Sequence, residues 1–480
     1  MSEHKIGVDQ WVEQYEKRRV GRNRLQIVVD DLSRRLPVWG WLVIMMAAAL
    51  LLPVVTHDNG LIHVAGTIAL TAMVALGLNV VVGYAGLLDL GFVAFYLIGA
   101  YVYAYLSSPF TGVHLATWAS LLAVIVLSAS FGLLLGSPSL RLVGDYLAIV
   151  TLGFGLIFVQ LTTSLTRVNL PGLDKPIDLT GGPNGIVNLD PLGILGSHAG
   201  SESDYYRIFV VILAIMVLLI YHLNKSRVGR AWRALREDEL AAEAMGMPTR
   251  RLKLQAFAFG ASLAGFSGAL FAARQGSVFP QNFDTAILIT IYVVIVLGGL
   301  GSLPGVVVGA IVIGGLPDIL RNPTLAGTFF YIGVIFTLFA ALKPRWQSLV
   351  IIGALALFGV VAHVALLAVL PGSFMTPDAT GYWVTDSIRS WLVMPTQATV
   401  LGNWAFAVLI VMILSITKLK NNTLRLIALV PTLYMLIFVW ETRLSQEPSV
   451  TRLLVVGVLL IVLMIYRPNG LFGQRRVEVV

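Results

Sequence analysis

The sequence predicts an all-α polytopic membrane protein of about 10–14 transmembrane helices, some of them Gly-interrupted or re-entrant. Three observations carry that expectation. First, 57% of the 480 residues are hydrophobic and only 12% are charged, with a mean hydropathy of +0.84, far too apolar for a soluble globule. Second, the apolar residues are drawn into runs long enough to cross a hydrocarbon core, which takes about 20 residues per helix. Third, the 33 Lys and Arg behind the net charge of +8 sit in short tracts between those runs, where they set orientation and do not mark a nucleic-acid partner. The absence of Cys removes disulfide frameworks, Cys-based metal sites and thiol nucleophiles.

Residues Met1 to Leu36 hold eight Lys or Arg and six Asp or Glu. Their apolar spacing fits an amphipathic helix on the inner leaflet, and a solvated tail fits equally well. The first apolar run, 38–55, lacks a small-residue cleavage site and is expected to stay as an anchor. Further candidate spans are 61–83, 86–106, 115–136, 144–164, 205–223, 254–273, 285–300, 304–320, 326–342, 347–370, 401–417, 424–440 and 450–466, fourteen in all. Basic residues in the loops give the orientation. With a cytoplasmic N-terminus, the 224–253 loop and its eight basic residues fall inside, while the 165–204 loop, with only Arg167 and Lys175, falls outside. Lys343, Arg345, Lys418, Lys420 and the tail from Arg467 to Arg476 then also fall inside, so both termini are expected in the cytoplasm. The external loop carries Asp174, Asp178, Asp190, Glu202 and Asp204 beside the turn-forming run Thr180 to Gly185. It suits an extracytoplasmic partner or a plain solvated connection.

Two glycine-rich junctions interrupt the runs. Gly83-Tyr84-Ala85-Gly86-Leu87-Leu88-Asp89-Leu90-Gly91 separates the second from the third, and Gly frees the backbone to turn there. Broken helices at membrane depth persist where they pack on protein or line a wet cavity. Asn79, Gly83, Gly86 and Asp89 are therefore candidates for a path through the membrane, with close helix packing as the alternative. A carboxylate such as Asp89 is costly in an apolar run unless paired or wet, and capping the following helix suits it better than direct ligand contact. Asn79 and Gln160 each fit an interhelical hydrogen bond. The second junction, Gly298 to Gly305, repeats the G-x-x-G-x-L spacing of Gly83, Gly86 and Leu88 with Gly298, Gly301 and Leu303. A parallel internal repeat has this form, which adds Gly298 and Gly301 to the candidates; a chance match among 46 Gly is the other reading.

Ser226 to Lys253 is a charged island between two long apolar runs. From about Trp232 to Met245 it reads as a helix, because Ala and Leu are strong formers and Gly246 followed by Pro248 is a stop signal. Trp232, Leu235 and Ala242 share one face, while Arg236, Glu239 and Glu243 lie three and four apart, where they pair with each other or with a partner. A helix of about four turns cannot bury its apolar stripe alone. Its four acidic residues sit poorly beside anionic lipid and point to a protein partner, with a solvated helix held by its own ion pairs as the alternative.

Glu239-Leu-Ala-Ala-Glu243-Ala-Met-Gly246 resembles the cytoplasmic E-A-A…G loop of permease subunits of bacterial ABC importers. Taken with Gly229 to Gly246, Gly77-Leu-Asn79, Gly86 to Gly91, Ala94 to Tyr96, Gly99 to Tyr101, Arg141 to Gly155 and Leu179 to Ile186, the chain resembles the M-type permease of the branched-chain amino acid importer over about residues 60 to 345. The resemblance implies a cytoplasmic tail 1–36, a permease core 37–345 with its coupling loop 224–253, and an additional transmembrane block 346–480. It implies two cytoplasmic ABC ATPases that carry the ATP and Mg, a second related permease and a periplasmic substrate-binding protein, all at the bacterial inner membrane. Arg233, Arg236, Glu239, Glu243 and Gly246 are the implied ATPase-coupling residues, and no catalytic residue, cofactor or metal is implied in this chain.

Two departures from that pattern stand out. Leu156 and Gln160 occupy a region where the family has an acidic and then a basic residue. The family also closes soon after a span ending in a basic residue, Pro and Gly-Leu. Here Leu342-Lys343-Pro344 resembles that closing, yet the chain runs through about four more spans before Tyr466 to Gly473 matches it better. No G-x-x-x-x-G-K-[ST] occurs, so the energy for transport is expected from a partner. An ion-coupled secondary transporter is the competing class, although Asp89, Asp145, Asp318 and His363 mostly fall near span ends and not at mid-membrane. Within the importer reading, urea or short amides are the alternative cargo.

Overall fold

A computed structural model describes residues 38–472 apart from 57, 140–144, 167, 169–177, 195–196, 322, 343–345, 370–373, 376–382, 396–397, 420, 445–450, 452–453, 456, 459–460 and 462–469. The N-terminal tail, the basic tract Lys343-Pro344-Arg345, most of the 450–466 run and the first part of the closing motif lie outside the described residues, as do the side chains of Asp145 and Asp318.

The fold is all-α and polytopic. Among the described residues nine helices are long and apolar enough to cross a membrane, and the strands are short two-residue pairs. In chain order the helices are α1 (Val38–Val55), α2 (Asn59–Leu78), α3 (Phe92–Leu106), α4 (Thr117–Ser139), α5 (Asp145–Ser164) and α6 (Glu202–Lys225). The charged island contributes α7 (Arg227–Glu237) and α8 (Glu239–Ala244), followed by α9 (Thr249–Gln275), α10 (Thr285–Gly298) and α11 (Leu303–Arg321). The C-terminal block adds α12 (Pro323–Ala341), α13 (Trp346–Val369), α14 (Trp383–Arg389), α15 (Ala398–Lys418) and α16 (Asn422–Val439).

One hydrophobic core is built on α2, α3, α9, α10 and α11, and α9 is its axis. Lipid offers no hydrophobic drive between spans, so close approach of small residues does that work. A Cβ on Gly99 of α3 would lie 2.0 Å from the Gly265 carbonyl oxygen of α9, and one on Gly268 would lie 2.0 Å from the Tyr96 carbonyl oxygen. At the end of the core opposite the island, Arg274 from the last turn of α9 ties three spans together. It pairs with Glu202 at the start of α6 (Nη2 to Oε2, 2.9 Å), and donates to Thr67 Oγ1 (3.2 Å) and the His63 carbonyl (2.8 Å) in α2. Asp178, Asp190 and Asp204 of the loop at that end are also engaged: they accept from the Gly181 amide, pair with His114 and close the capping box of α6 respectively.

A second core joins α12, α13, α15 and α16. Its polar centre is Glu441, only 1% exposed, in the π-helical turn Trp440–Leu444. Arg389 of α14 pairs with it at 2.7 Å, and Tyr331 of α12 donates its hydroxyl to the same carboxylate. His363 of α13 faces the Leu392 carbonyl at 3.1 Å, inside this same block. Removing one member of a buried ion pair is far more damaging than never having had it, because the partner charge loses its compensation. Glu441→Ala is therefore expected to destabilise the C-terminal block by about 3–5 kcal/mol, seen as a lowered thermal unfolding midpoint in detergent; an unchanged midpoint would contradict the assignment of Glu441 as the block's polar anchor.

Candidate functional site

The first junction begins where α2 widens into a π-helical turn, Asn79–Tyr84, before the chain turns through Gly86 and Asp89 into α3. Such widenings disturb the regular hydrogen-bond ladder and often mark functional positions. Asn79 is wholly buried, and its Oδ1 accepts the Gly301 amide at 2.8 Å. The two copies of the G-x-x-G-x-L pattern, more than two hundred residues apart in sequence, thus meet in space. Gly83 has to be glycine, since a Cβ there would lie 2.2 Å from Asn79 Oδ1 and 2.7 Å from the Gly301 amide nitrogen.

Arg236, from the last turn of α7, enters this meeting point. Its guanidinium donates through Nη1 to the Gly83 carbonyl. The same side chain packs on Gly86, whose φ of +73° suits glycine, and on Gly301, whose hypothetical Cβ would lie 3.0 Å from Nη1. Asn79, Gly83, Gly86, Gly301 and Arg236 therefore form one cluster, and the charged island touches both junctions through a single side chain. Gly298 lies at the adjoining end of α10, packed so closely on Gly305 of α11 that a Cβ would meet its carbonyl oxygen at 2.2 Å.

The island itself differs from the single helix expected over Trp232 to Met245. It is two helices broken at Asp238, which takes an extended conformation (φ −156°, ψ 110°) and caps α8 by accepting the Ala241 amide at 3.0 Å. Asp competes for backbone donors and so favours caps over helix interiors. Trp232 anchors α7: it is 1% exposed and its Nε1 donates to the Leu252 carbonyl at 2.9 Å. Glu239 is paired with Lys253 of α9, and Arg233 donates to the Asn224 carbonyl at 3.3 Å. Gly246, with φ +78°, ends α8 in the left-handed conformation that favours glycine. What remains outward is a tip carrying Leu240 (78% exposed), exposed Glu243 and Met245 (83% exposed).

Asp89 lies in the last part of the first junction, just before α3. It is 1% exposed, its Oδ1 accepts the Gly91 amide at 2.9 Å, and its carbonyl accepts the Tyr292 hydroxyl at 2.6 Å. Thr151 of α5 completes the turn by accepting the Leu90 amide at 3.0 Å. The carboxylate borders a cavity of about 10 Å³ lined by Phe95, Leu135, Thr151, Phe154 and Phe257, room for one water at most. Gln160 and Leu156 are exposed on α5, and Gln160 donates to Ser164 at 3.3 Å. Tyr292 belongs to none of the motifs, and the roles of Thr151, inside the run Arg141 to Gly155, and of Lys253, at the end of the charged island, depend on partners that only the fold brings near.

Comparison with known proteins shows the family. The profile of a family described as branched-chain amino acid transport system / permease component matches residues 60–355. The chain is similar to the high-affinity branched-chain amino acid transport system permease protein LivM of Escherichia coli, with 38% identity over 288 residues, 55% of this chain and 64% of that protein. It is also similar to LivH of Salmonella typhimurium, with 27% identity over 255 residues, 51% of this chain and 79% of the other, and to BraD of Pseudomonas aeruginosa, with 26% identity over 253 residues, 51% of this chain and 79% of the other. The match thus covers just under two thirds of the length of LivM, at 64%. No solved structure matches the chain.

Asn79→Ala would leave the Gly301 amide without its acceptor inside the cluster. Amide exchange at Gly301, read by mass spectrometry on the full chain, is expected to rise about tenfold, the effect of losing one such hydrogen bond. Exchange as slow as in the native chain would show that the two junctions are not held through this contact.

Proposed function

Because the chain belongs to the branched-chain amino acid transport system permease family, which its match over residues 60–355 establishes, we propose that it is the integral-membrane permease subunit of an ATP-binding-cassette importer. Its cargo is branched-chain amino acids, delivered by a periplasmic binding protein to the end of the core that carries Arg274. The observation that carries this reading is Arg236, whose guanidinium links a polar, outward-facing loop to both glycine junctions.

The tip of the island supports a docking role. Leu240 and Met245 are large apolar side chains held out at 78% and 83% exposure beside Glu243, and such residues on a charged loop suit a protein partner. That partner is a cytoplasmic ATPase, one of two, which carry the ATP and Mg. A second, related permease completes the membrane part; the likeness of this one chain to both LivM and LivH supports such a pairing. The assembly sits in the bacterial inner membrane with both termini cytoplasmic. That orientation is supported by the basic loop 224–253 and by the tail residues 470–472 lying at the same end of the fold.

Coupling then follows from the geometry. Trp232 fixes α7 to α9, so a push on α8 cannot be absorbed by the loop sliding alone. It reaches Arg236, which bears on the Gly83 carbonyl and on Gly86 and Gly301. Junctions with irregular backbone have two or more accessible arrangements, and a partner that prefers one of them shifts the population between inward and outward access. No step of this needs a titrating group or a metal.

Glu243→Arg is expected to abolish ATP-driven leucine uptake and the stimulation of ATPase activity while leaving membrane insertion intact. Arg236→Ala keeps the docking tip but loses a charge-assisted hydrogen bond, so uptake per ATP hydrolysed should fall by about tenfold. Transport assays in reconstituted vesicles check both. Native uptake in both variants would overturn the proposed coupling route.

A further inference from the structure

An α-helix leaves its last carbonyls without partners, and in a buried setting something has to satisfy them. At the end of α10 those carbonyls belong to Leu297 and Gly298, and the groups that meet them come from the far end of the chain. The Leu471 amide donates to the Leu297 carbonyl at 2.9 Å and the Phe472 amide to the Gly298 carbonyl at 3.0 Å. Gly470, with φ +78°, lets this happen: a Cβ there would lie 2.5 Å from Gly299 Cα and 2.6 Å from the Val296 carbonyl oxygen. The contact is made by backbone, and the residues Leu471 and Phe472 as a whole stay 43% and 51% exposed.

We infer that residues 470–472 are a remote cap for α10, a strap that positions the second junction and ties the C-terminal block mechanically to it. Two independent observations converge on this. The strap falls in the run Tyr466 to Gly473 that resembles the family's closing, whereas the family match itself ends at residue 355, inside α13. The block from there to the strap is therefore spliced between the core and its closing segment, and the closing segment still returns to the core. It returns directly onto Gly299, close in sequence to Gly301, where Asn79 and Arg236 also act. The junction is held from three directions: the π-helical turn, the island and the strap. Gly470 and the Leu471 and Phe472 amides are positioning groups, acting on transport through α10.

The cap is tested on the full chain in lipid nanodiscs by amide exchange over residues 297–302, and its effect on coupling by ATP hydrolysed per leucine imported in the assembled transporter. Only the second readout rests on the proposed function. Leu471→Pro removes the donor and Gly470→Val cannot approach Gly299, so both should speed exchange at Gly299 and Ser302 by about fivefold or more, the effect of one lost hydrogen bond. Leu471→Ala keeps the amide and should match the native chain. The ATP used per leucine should rise in Leu471→Pro and not in Leu471→Ala. Equal exchange in Leu471→Pro and Leu471→Ala would overturn the cap, and faster exchange with an unchanged ratio would overturn its role in coupling. If the native chain showed no ATP-driven uptake, the proposed function would fail while the exchange comparison still decided the cap.

Discussion

Backbone amides and carbonyls have no water to turn to inside a membrane, so a broken helix survives there only if other parts of the protein satisfy it. The rest of this structure depends on that constraint. Each of the two glycine junctions is incomplete alone. The Gly301 amide is satisfied by Asn79, the Gly83 carbonyl by Arg236, and the Leu297 and Gly298 carbonyls by the tail. Glycine is needed at Gly83 and Gly470 because those satisfying groups have to come within van der Waals contact of backbone. The breaks are thus also the places where distant segments are joined.

This arrangement makes the coupling route short. Between the exposed tip at Leu240 and the Gly83 carbonyl lie only the capped break at Asp238 and the side chain of Arg236. The break at Asp238 lets α8 present its apolar side chains outward while α7 keeps Trp232 and Leu235 buried against the core. A single straight helix would have placed Glu239 on the same face as Arg236; instead Glu239 reaches Lys253, which is only 9% exposed at its side chain, and locks α8 to α9. At the opposite end, Arg274 holds α2, α6 and α9 together, so the two ends of α2 are fixed by different partners.

Composition and hydropathy made the membrane class and most of the spans legible, and the spacing of Gly83, Gly86, Gly298 and Gly301 pointed to the two junctions. Their convergence was not legible, because a hydrogen bond such as Asn79 to Gly301 links residues with no sequence relation beyond the repeat. The break at Asp238 was hidden by the high helix propensity of the residues around it, which a single capping side chain outweighs. The sequence groups Arg236 with Glu239 and Glu243 as ion-pair or partner contacts, and the family resemblance places it beside Arg233 among the coupling residues, not at a junction. Nothing in its neighbours along the chain distinguishes it from Arg233; its hydrogen bond to the Gly83 carbonyl and its packing against Gly86 and Gly301 separate them. The extra C-terminal spans and the closing run Tyr466 to Gly473 were visible in the sequence, while the return of residues 470–472 to α10 is made by backbone contacts that no side-chain pattern announces.

The central claim is that Arg236 makes the island tip and the first junction move as one body. The chain has no Cys, so spin labels on Leu240→Cys and Leu88→Cys, at positions that are 78% and 41% exposed in the native chain, report on that pair without background. Their distance distribution, measured by pulsed electron paramagnetic resonance with the ATPases empty and with ATP bound, is predicted to stay narrow in both states and to broaden when Arg236 is also changed to Ala. A distribution that shifts or broadens between the two states with Arg236 in place, or that is unaffected by its removal, would contradict the account.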